Sequence, residues 1–129
     1  MSSGARSILV VEDDDDVRTM ICIVLSNEGY SAEGAANGLE ALRRLRSGEP
    51  PALIIVDLMM PKMDGGTLIR MMSADTSLAR IPVAIMSGQA SAELAPSSPQ
   101  IVARLIKPVE LDELLDVVHQ ITERRADRG

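Results

Sequence analysis

The stretch ALIIVDLMM, Ala52–Met60, is the most hydrophobic in the chain, and it delivers one acid, Asp57, at the carboxyl end of its apolar run. A continuous apolar run of this length, rich in β-branched residues, is typical of a strand that is covered on both faces. An aspartate that ends such a run is costly to leave half-buried and unpaired. We therefore expect a buried strand that carries Asp57 to a polar site.

Further apolar runs on either side of this stretch alternate with amphipathic stretches. They predict four more strands, at Ser7–Val11, Tyr30–Ala35, Pro82–Ser87 and Ala103–Ile106. The stretches between them have helical spacing, and the last, ELDELLDVVHQITERR, is the most clearly amphipathic. This alternation predicts repeated βαβ units and a doubly wound α/β fold, with a five-stranded parallel sheet and about five helices. Pro96 and Pro99 predict a short or irregular fourth helix.

Composition narrows the class of protein. A chain of 129 residues fits one domain, and its net charge of −6 argues against binding nucleic acid or an anionic membrane. No apolar run approaches the ~20 residues that span a bilayer. The single Cys22 rules out an internal disulfide and suits a reducing cytosol. We expect a cytoplasmic domain over residues 7–124, between a disordered segment at 1–6 and a frayed tail at 125–129.

Four of the five predicted strands, all but the second, deliver polar groups to one edge of the sheet, where doubly wound folds bind their ligands. These groups are the carboxylates of Glu12, Asp13 and Asp57, the hydroxyl of Ser87 and the ammonium of Lys107. Three carboxylates in one crevice repel one another unless a cation joins them. Their charge of −3 is balanced by Lys107 together with Mg²⁺, which prefers oxygen ligands. No His or Cys lies nearby to indicate zinc or copper.

Two other features have plainer interpretations. The acids Asp14, Asp15 and Asp16 are expected at the start of a helix, with Asp15 as its N-cap. His119 lies among charged residues of the last helix, and we expect a surface histidine rather than a phosphotransfer group.

The motifs at these positions resemble the receiver domains of two-component response regulators. The resemblance covers residues 7 to about 124 and rests on ILVVEDD, IIVDLMMPKMDG, IMSG, and the KP that opens the final helix. It implies a flavodoxin-like sheet with strand order 2-1-3-4-5. It also implies a signalling switch, not an enzyme, that catalyses only its own phosphorylation and dephosphorylation. The phosphoryl group would pass in the presence of Mg²⁺ to Asp57, from the phosphohistidine of a sensor histidine kinase or histidine phosphotransfer protein, or from a small acyl phosphate.

Carried over residue by residue, the resemblance assigns roles within the site. The Mg²⁺ ligands would be Glu12 through a water, Asp13, Asp57 and the backbone carbonyl of Met59. Lys107 and the Ser87 hydroxyl would each contact a phosphoryl oxygen. Gly88 would keep the approach of the phosphate open, and the bond between Lys107 and Pro108 would be cis.

One position departs from the family pattern. The family commonly has Tyr or Phe three residues before the lysine, where it swings inward on activation, but this chain has Arg104. A long cationic side chain is costly to bury, so we expect Arg104 to stay outward. The surface around helix 4, strand 5 and helix 5 would then switch without an aromatic swing. The downstream effector is unknown, and the domain is expected to be a monomer before phosphorylation, with dimerisation on activation left open.

Two functions of other classes stay open at this stage. A Mg²⁺-dependent aspartate phosphatase of the haloacid dehalogenase type would use a DxD motif, which EDDDD contains. That class needs a longer chain and does not explain DLMMPKMDG. A pseudo-receiver that is never phosphorylated and serves only as an interaction module would share the fold, although every active-site position is present here.

Overall fold

The computed structural model describes residues 6–60, 62–88 and 95–127. Within them, the strands are β1 (Ser7–Val11), β2 (Ser31–Ala35), β3 (Leu53–Asp57), β4 (Val83–Ser87) and β5 (Ile101–Ile106). The helices are α1 (Asp15–Asn27), α2 (Gly38–Ser47), α3 (Gly65–Ala74) and α4 (Leu111–Asp127). All neighbouring strands are parallel, in the order β2-β1-β3-β4-β5. The predicted flavodoxin-like sheet is therefore confirmed.

The core lies on both faces of this sheet. Every residue of β3 and β4 is buried, as expected of central strands in a parallel sheet. Because side chains alternate along a strand, Ile54 and Val56 pack in one apolar cluster with α2 and α3, and Leu53 and Ile55 pack in a second cluster with α1 and α4. The two helical layers hold the sheet so that its carboxyl edge stays accessible.

Several boundaries differ from the sequence-based expectation. Strand β5 begins at Ile101, two residues earlier than predicted, and α4 continues to Asp127, into the tail that was expected to fray. The N-cap of α1 is Asp14 and not Asp15, because the Asp14 backbone is extended and its Oδ1 accepts the N–H groups of Asp16 and Val17. The predicted fourth helix and N-terminal segment fall largely outside the described residues.

The last helix is fastened to the loop before β2 by the sole aromatic residue of the chain. The Tyr30 hydroxyl lies 2.6 Å from His119 Nδ1 and 3.2 Å from Thr122 Oγ1. The guanidinium of Arg6 lies 4.5 Å from the centre of the Tyr30 ring. The His119 side chain keeps 39% of its surface exposed, so the predicted surface position is confirmed and a hydrogen bond is added to it.

No helix in the described part of the chain is long and apolar enough to cross a membrane.

Candidate functional site at the carboxyl edge of the sheet

The register of the strands brings the predicted site residues to one edge. Val11 pairs with Val56, so Glu12 follows β1 at the level where β3 ends in Asp57. Ser87 ends β4, and it pairs with Ile106, so Lys107 emerges from β5 one residue beyond. The predicted meeting of four strand ends therefore follows from a parallel register alone.

Three carboxylates form the centre of the site. One oxygen atom each from Glu12, Asp13 and Asp57 lies within 4.8 Å of the others, the one such group of His, Cys, Asp or Glu side chains in the described part of the chain. Glu12 is 1% exposed and Asp57 is 2% exposed, whereas Asp13 is open to solvent. Two of the acids are thus buried charges, which are tolerated in proteins only when they are paired or bind a cation.

Lys107 supplies a positive charge to both buried acids. Its Nζ donates to Asp57 Oδ2 at 2.9 Å and to Glu12 Oε1 at 3.2 Å. Burial on its own lowers the pKa of Lys107, but the hydrogen bonds and charges of the two acids outweigh it and leave that pKa above its ordinary value. The pKa of Glu12 is also raised, because its burial and the negative charge of Asp57 outweigh the lowering by the Asp14 amide and by Lys107.

The loop between β3 and α3 holds Asp57 from the other side. The Met59 N–H donates to Asp57 Oδ1 at 3.1 Å, and the Gly65 N–H closes the loop on the Leu58 carbonyl at 3.2 Å. A Cβ atom on Gly65 would lie 2.5 Å from the Asp57 carbonyl oxygen. Only glycine therefore lets α3 begin this close to the acid.

The remaining predicted positions lie around this centre. Ser87 is buried at the same edge, its carbonyl accepts the Lys107 N–H at 2.8 Å, and Gly88 follows it with partial exposure. The Lys107–Pro108 peptide bond is cis, as the resemblance implies. Arg104 is exposed in this structure, and its position on activation stays a prediction.

The arrangement fits a divalent cation with oxygen ligands. Three carboxylates and one ammonium leave a formal charge of −2 (−3 plus +1) at the site. Hard oxygen donors of this kind match the preference of Mg²⁺, whereas zinc sites draw mainly on His and Cys. The residues present thus fit the ion that the sequence implied.

Two contacts of this site were not predicted. Glu12 Oε2 accepts the Asp14 N–H at 3.1 Å, and the Glu12 carbonyl accepts Arg18 Nη1 at 2.7 Å. The available signal was spacing, because Arg18 lies one helical turn after the N-cap Asp14 and its side chain can reach back over the loop.

Fold and site together define a doubly wound α/β domain with a carboxylate–lysine centre at its carboxyl edge. The response regulator receiver domain family matches residues 8–119. The chain is 33% identical over 118 residues to the response regulator receiver protein CpdR of Brucella abortus, covering 90% of this chain and 96% of that protein. It is 33% identical over 115 residues to sporulation initiation phosphotransferase F of Bacillus subtilis, covering 88% and 90% of the two. The chain belongs to the receiver domain family, whose members are phospho-accepting signalling domains of two-component systems.

Solved structures agree with this assignment. The receiver domain of sensor histidine kinase PA1611 from Pseudomonas aeruginosa, with a magnesium ion coordinated in its active site cleft, superposes with a TM-score of 0.81 at 25% identity, covering 92% of this chain and 98% of that one. Other curated relatives are longer, and the chain spans 12–50% of the length of three of them. The chain thus resembles a module that occurs both alone and within larger proteins.

Proposed function

We propose that Asp57 accepts a phosphoryl group, in the presence of Mg²⁺, from the phosphohistidine of a sensor kinase or histidine phosphotransfer protein, or from a small acyl phosphate. The observation that carries this proposal is the environment of the Asp57 carboxylate. It is 2% exposed, hydrogen-bonded by Lys107 at 2.9 Å, and grouped with two further acids within 4.8 Å. A carboxylate held in this way is positioned as a nucleophile while its charge is balanced.

The cation would be held by the acids of the loop and of β3. Its ligands would be Glu12 through a water, Asp13, Asp57 and the backbone carbonyl of Met59. When bound, Mg²⁺ supplies positive charge to the oxygens of the transferring phosphoryl group. The formal charge of −2 at the site supports this assignment, as does the magnesium ion named for the related structure from Pseudomonas aeruginosa.

The other residues position the reacting atoms. An Asp57 oxygen forms the new bond to phosphorus as the phosphorus–nitrogen bond of the phosphohistidine breaks, and the imidazole leaves with the electron pair of that bond. The Lys107 ammonium donates a hydrogen bond to one phosphoryl oxygen, and the Ser87 hydroxyl donates a hydrogen bond to another. Gly88, which has no side chain, leaves the approach open. Water later attacks the phosphorus of the aspartyl phosphate, the bond between phosphorus and the Asp57 oxygen breaks, and inorganic phosphate leaves. The Asp57 carboxylate is thereby restored, so the domain catalyses only its own phosphorylation and dephosphorylation.

The signal would be passed on through the surface of β5 and the last helix, which is α4 in this structure. Arg104 is exposed on β5, so no aromatic ring can swing inward at this position. We expect phosphorylation to act through Ser87 on residues 89–100 instead. Amide hydrogen exchange of the protein with and without phosphorylation tests this, and unchanged exchange over that segment would contradict it.

The phosphorylation itself is tested by mass spectrometry. Incubation with acetyl phosphate and Mg²⁺ should add one phosphoryl mass, and Asp57→Asn should abolish the addition. Asp112→Asn removes an exposed carboxylate from the first turn of α4 and is the matched control, which should label like the parent. Full labelling of the Asp57→Asn variant would refute the proposal, and failure of every phosphoryl donor would favour the pseudo-receiver alternative.

A further inference from the structure

Arg18 reaches from α1 back to the loop that carries two of the three acids. Its Nη1 donates to the Glu12 carbonyl at 2.7 Å, and its Nη2 pairs with the Asp15 carboxylate. Only 19% of the side chain is exposed. A planar guanidinium that bridges two acceptors fixes their relative positions, which a lysine ammonium cannot do in the same way.

The carbonyl that Arg18 holds belongs to the peptide that joins Glu12 to Asp13. The rest of Glu12 is already fastened, since its N–H donates to the Ala35 carbonyl at 3.0 Å and its carboxylate accepts from Asp14 and Lys107. Rotation of the Glu12–Asp13 peptide is therefore the backbone motion at Glu12 that these bonds leave open, and it would carry Asp13 away from the other two acids. Arg18 opposes this rotation directly.

Gly34 on β2 makes the position of Arg18 available. A Cβ atom built on Gly34 would lie 2.8 Å from Arg18 Cδ and 3.1 Å from Cγ. These separations are well inside van der Waals contact, so any side chain at position 34 would displace the stem of Arg18. The stem of Arg18 on α1 thus lies where a side chain at Gly34 on β2 would otherwise be.

From these contacts we infer that Arg18 is a positioning residue for the cation site, and that Gly34 is the space it requires. Arg18 orients the Glu12–Asp13 peptide so that the Asp13 carboxylate stays beside Glu12 and Asp57. The consequence for Mg²⁺ binding rests on the proposed function, whereas the clamp on the loop is a property of the protein alone. Residues that orient a ligand in this way typically change metal affinity by about 10–100-fold.

Isothermal titration of Mg²⁺ tests the consequence for the cation. Arg18→Ala should weaken binding by roughly tenfold, and Arg18→Lys should also weaken it, because the charge is kept but the bridge is lost. Arg43→Ala removes the same charge from an exposed position on α2 and should stay within about twofold of the parent. Parent-like affinity in Arg18→Lys would mean that only charge matters, and it would overturn the inference.

A double-mutant cycle tests the part played by Gly34. Gly34→Ala should weaken Mg²⁺ binding in the parent, because it displaces Arg18, but should have no further effect in Arg18→Ala. Effects that add across the cycle to within about twofold would show two independent sites and overturn the coupling.

The clamp is measured without metal by ¹⁵N relaxation. In the Mg²⁺-free protein, Arg18→Ala should lower the order parameters of the Asp13 and Asp14 amides from about 0.85 toward 0.6, while β3 and β4 stay rigid. Unchanged order parameters at these two amides would overturn the inference even if phosphorylation proceeds as proposed. If instead the parent protein is never phosphorylated, the proposed function fails and this measurement still decides the role of Arg18.

Discussion

Replacing Lys107 by methionine should destabilise the Mg²⁺-free protein, because it removes the counter-charge of two buried acids. The Lys107 ammonium is 2.9 Å from Asp57 and 3.2 Å from Glu12, whose side chains are 3% and 1% exposed. Methionine keeps most of the length of the side chain but leaves both carboxylates without their cation. The charge of the cluster changes from −2 to −3.

The expected loss in the free energy of unfolding depends on how deeply the lysine and the two acids of these ion pairs are buried. Removing one partner of a fully buried pair costs about 3–5 kcal/mol. The Lys107 side chain is 36% exposed, so water screens part of the interaction and we expect a loss of about 2 kcal/mol. For a chain of this length, that loss lowers the melting temperature by roughly 6–10 °C.

Magnesium should narrow the difference between the variant and the parent. A cluster with charge −3 holds a divalent cation more tightly than one with charge −2, so ligand linkage stabilises the variant more than the parent. Phosphorylation should nevertheless slow, since no ammonium remains to contact the phosphoryl oxygens.

Differential scanning calorimetry measures both effects, with EDTA and then across a Mg²⁺ titration. The matched control is Lys62→Met, which removes the chain's other lysine from an exposed loop and should change the melting temperature little. A Lys107→Met protein as stable as the parent in EDTA would refute the argument, because the buried acids would then not depend on this cation.

Three further substitutions have expected outcomes that calorimetry can check. Asp13→Ala should leave the Mg²⁺-free protein as stable or more stable, and should remove the Mg²⁺ stabilisation, which amounts to about 2.7 kcal/mol at a hundredfold excess over the dissociation constant; a persisting response would count against Asp13 as a ligand. Tyr30→Phe should cost about 1 kcal/mol, because a buried hydroxyl that contacts His119 at 2.6 Å is lost, and parent-like stability would mean that this contact does not help to hold α4. Gly65→Ala should cost about 1–3 kcal/mol, since the new methyl group would lie 2.5 Å from the Asp57 carbonyl oxygen; an unchanged melting temperature would show that α3 shifts freely.

The strands and the carboxylate centre were predictable because they depend on local apolar runs and on what ends each run, whereas the strand order was implied by the resemblance to receiver domains. Leu53–Asp57 is buried at every position, and an uninterrupted run of this kind predicts a central strand without knowledge of its neighbours. Boundaries at the sheet edge were less predictable. Strand β5 alternates between inward-facing residues, of which Leu105 is buried, and exposed ones, so it lacks the continuous buried run of a central strand, and its first two residues were missed although both are apolar.

The cap of α1 was misplaced for a related reason. Four consecutive aspartates offer the same side chain at each register, and every one of them is an acceptable N-cap. What selects Asp14 is the position of Glu12 two residues earlier, which is fixed by the Ala35 carbonyl and by Lys107 and whose carboxylate accepts the Asp14 N–H. Contacts with residues distant in the sequence decide which of the four aspartates caps α1. A local sequence pattern contains no information about such contacts.

The same distinction separates the acids of the site from the residue that orients them. Asp57 and Lys107 are recognisable because each follows an apolar run directly, and a parallel register then brings such residues together. Arg18 lies inside a helix, where an arginine is ordinary, and its contact with the Glu12 carbonyl depends on the absence of a side chain at Gly34. The charge of this site was therefore predictable from single strands, whereas its geometry depends on a pair of residues that neither α1 nor β2 indicates alone.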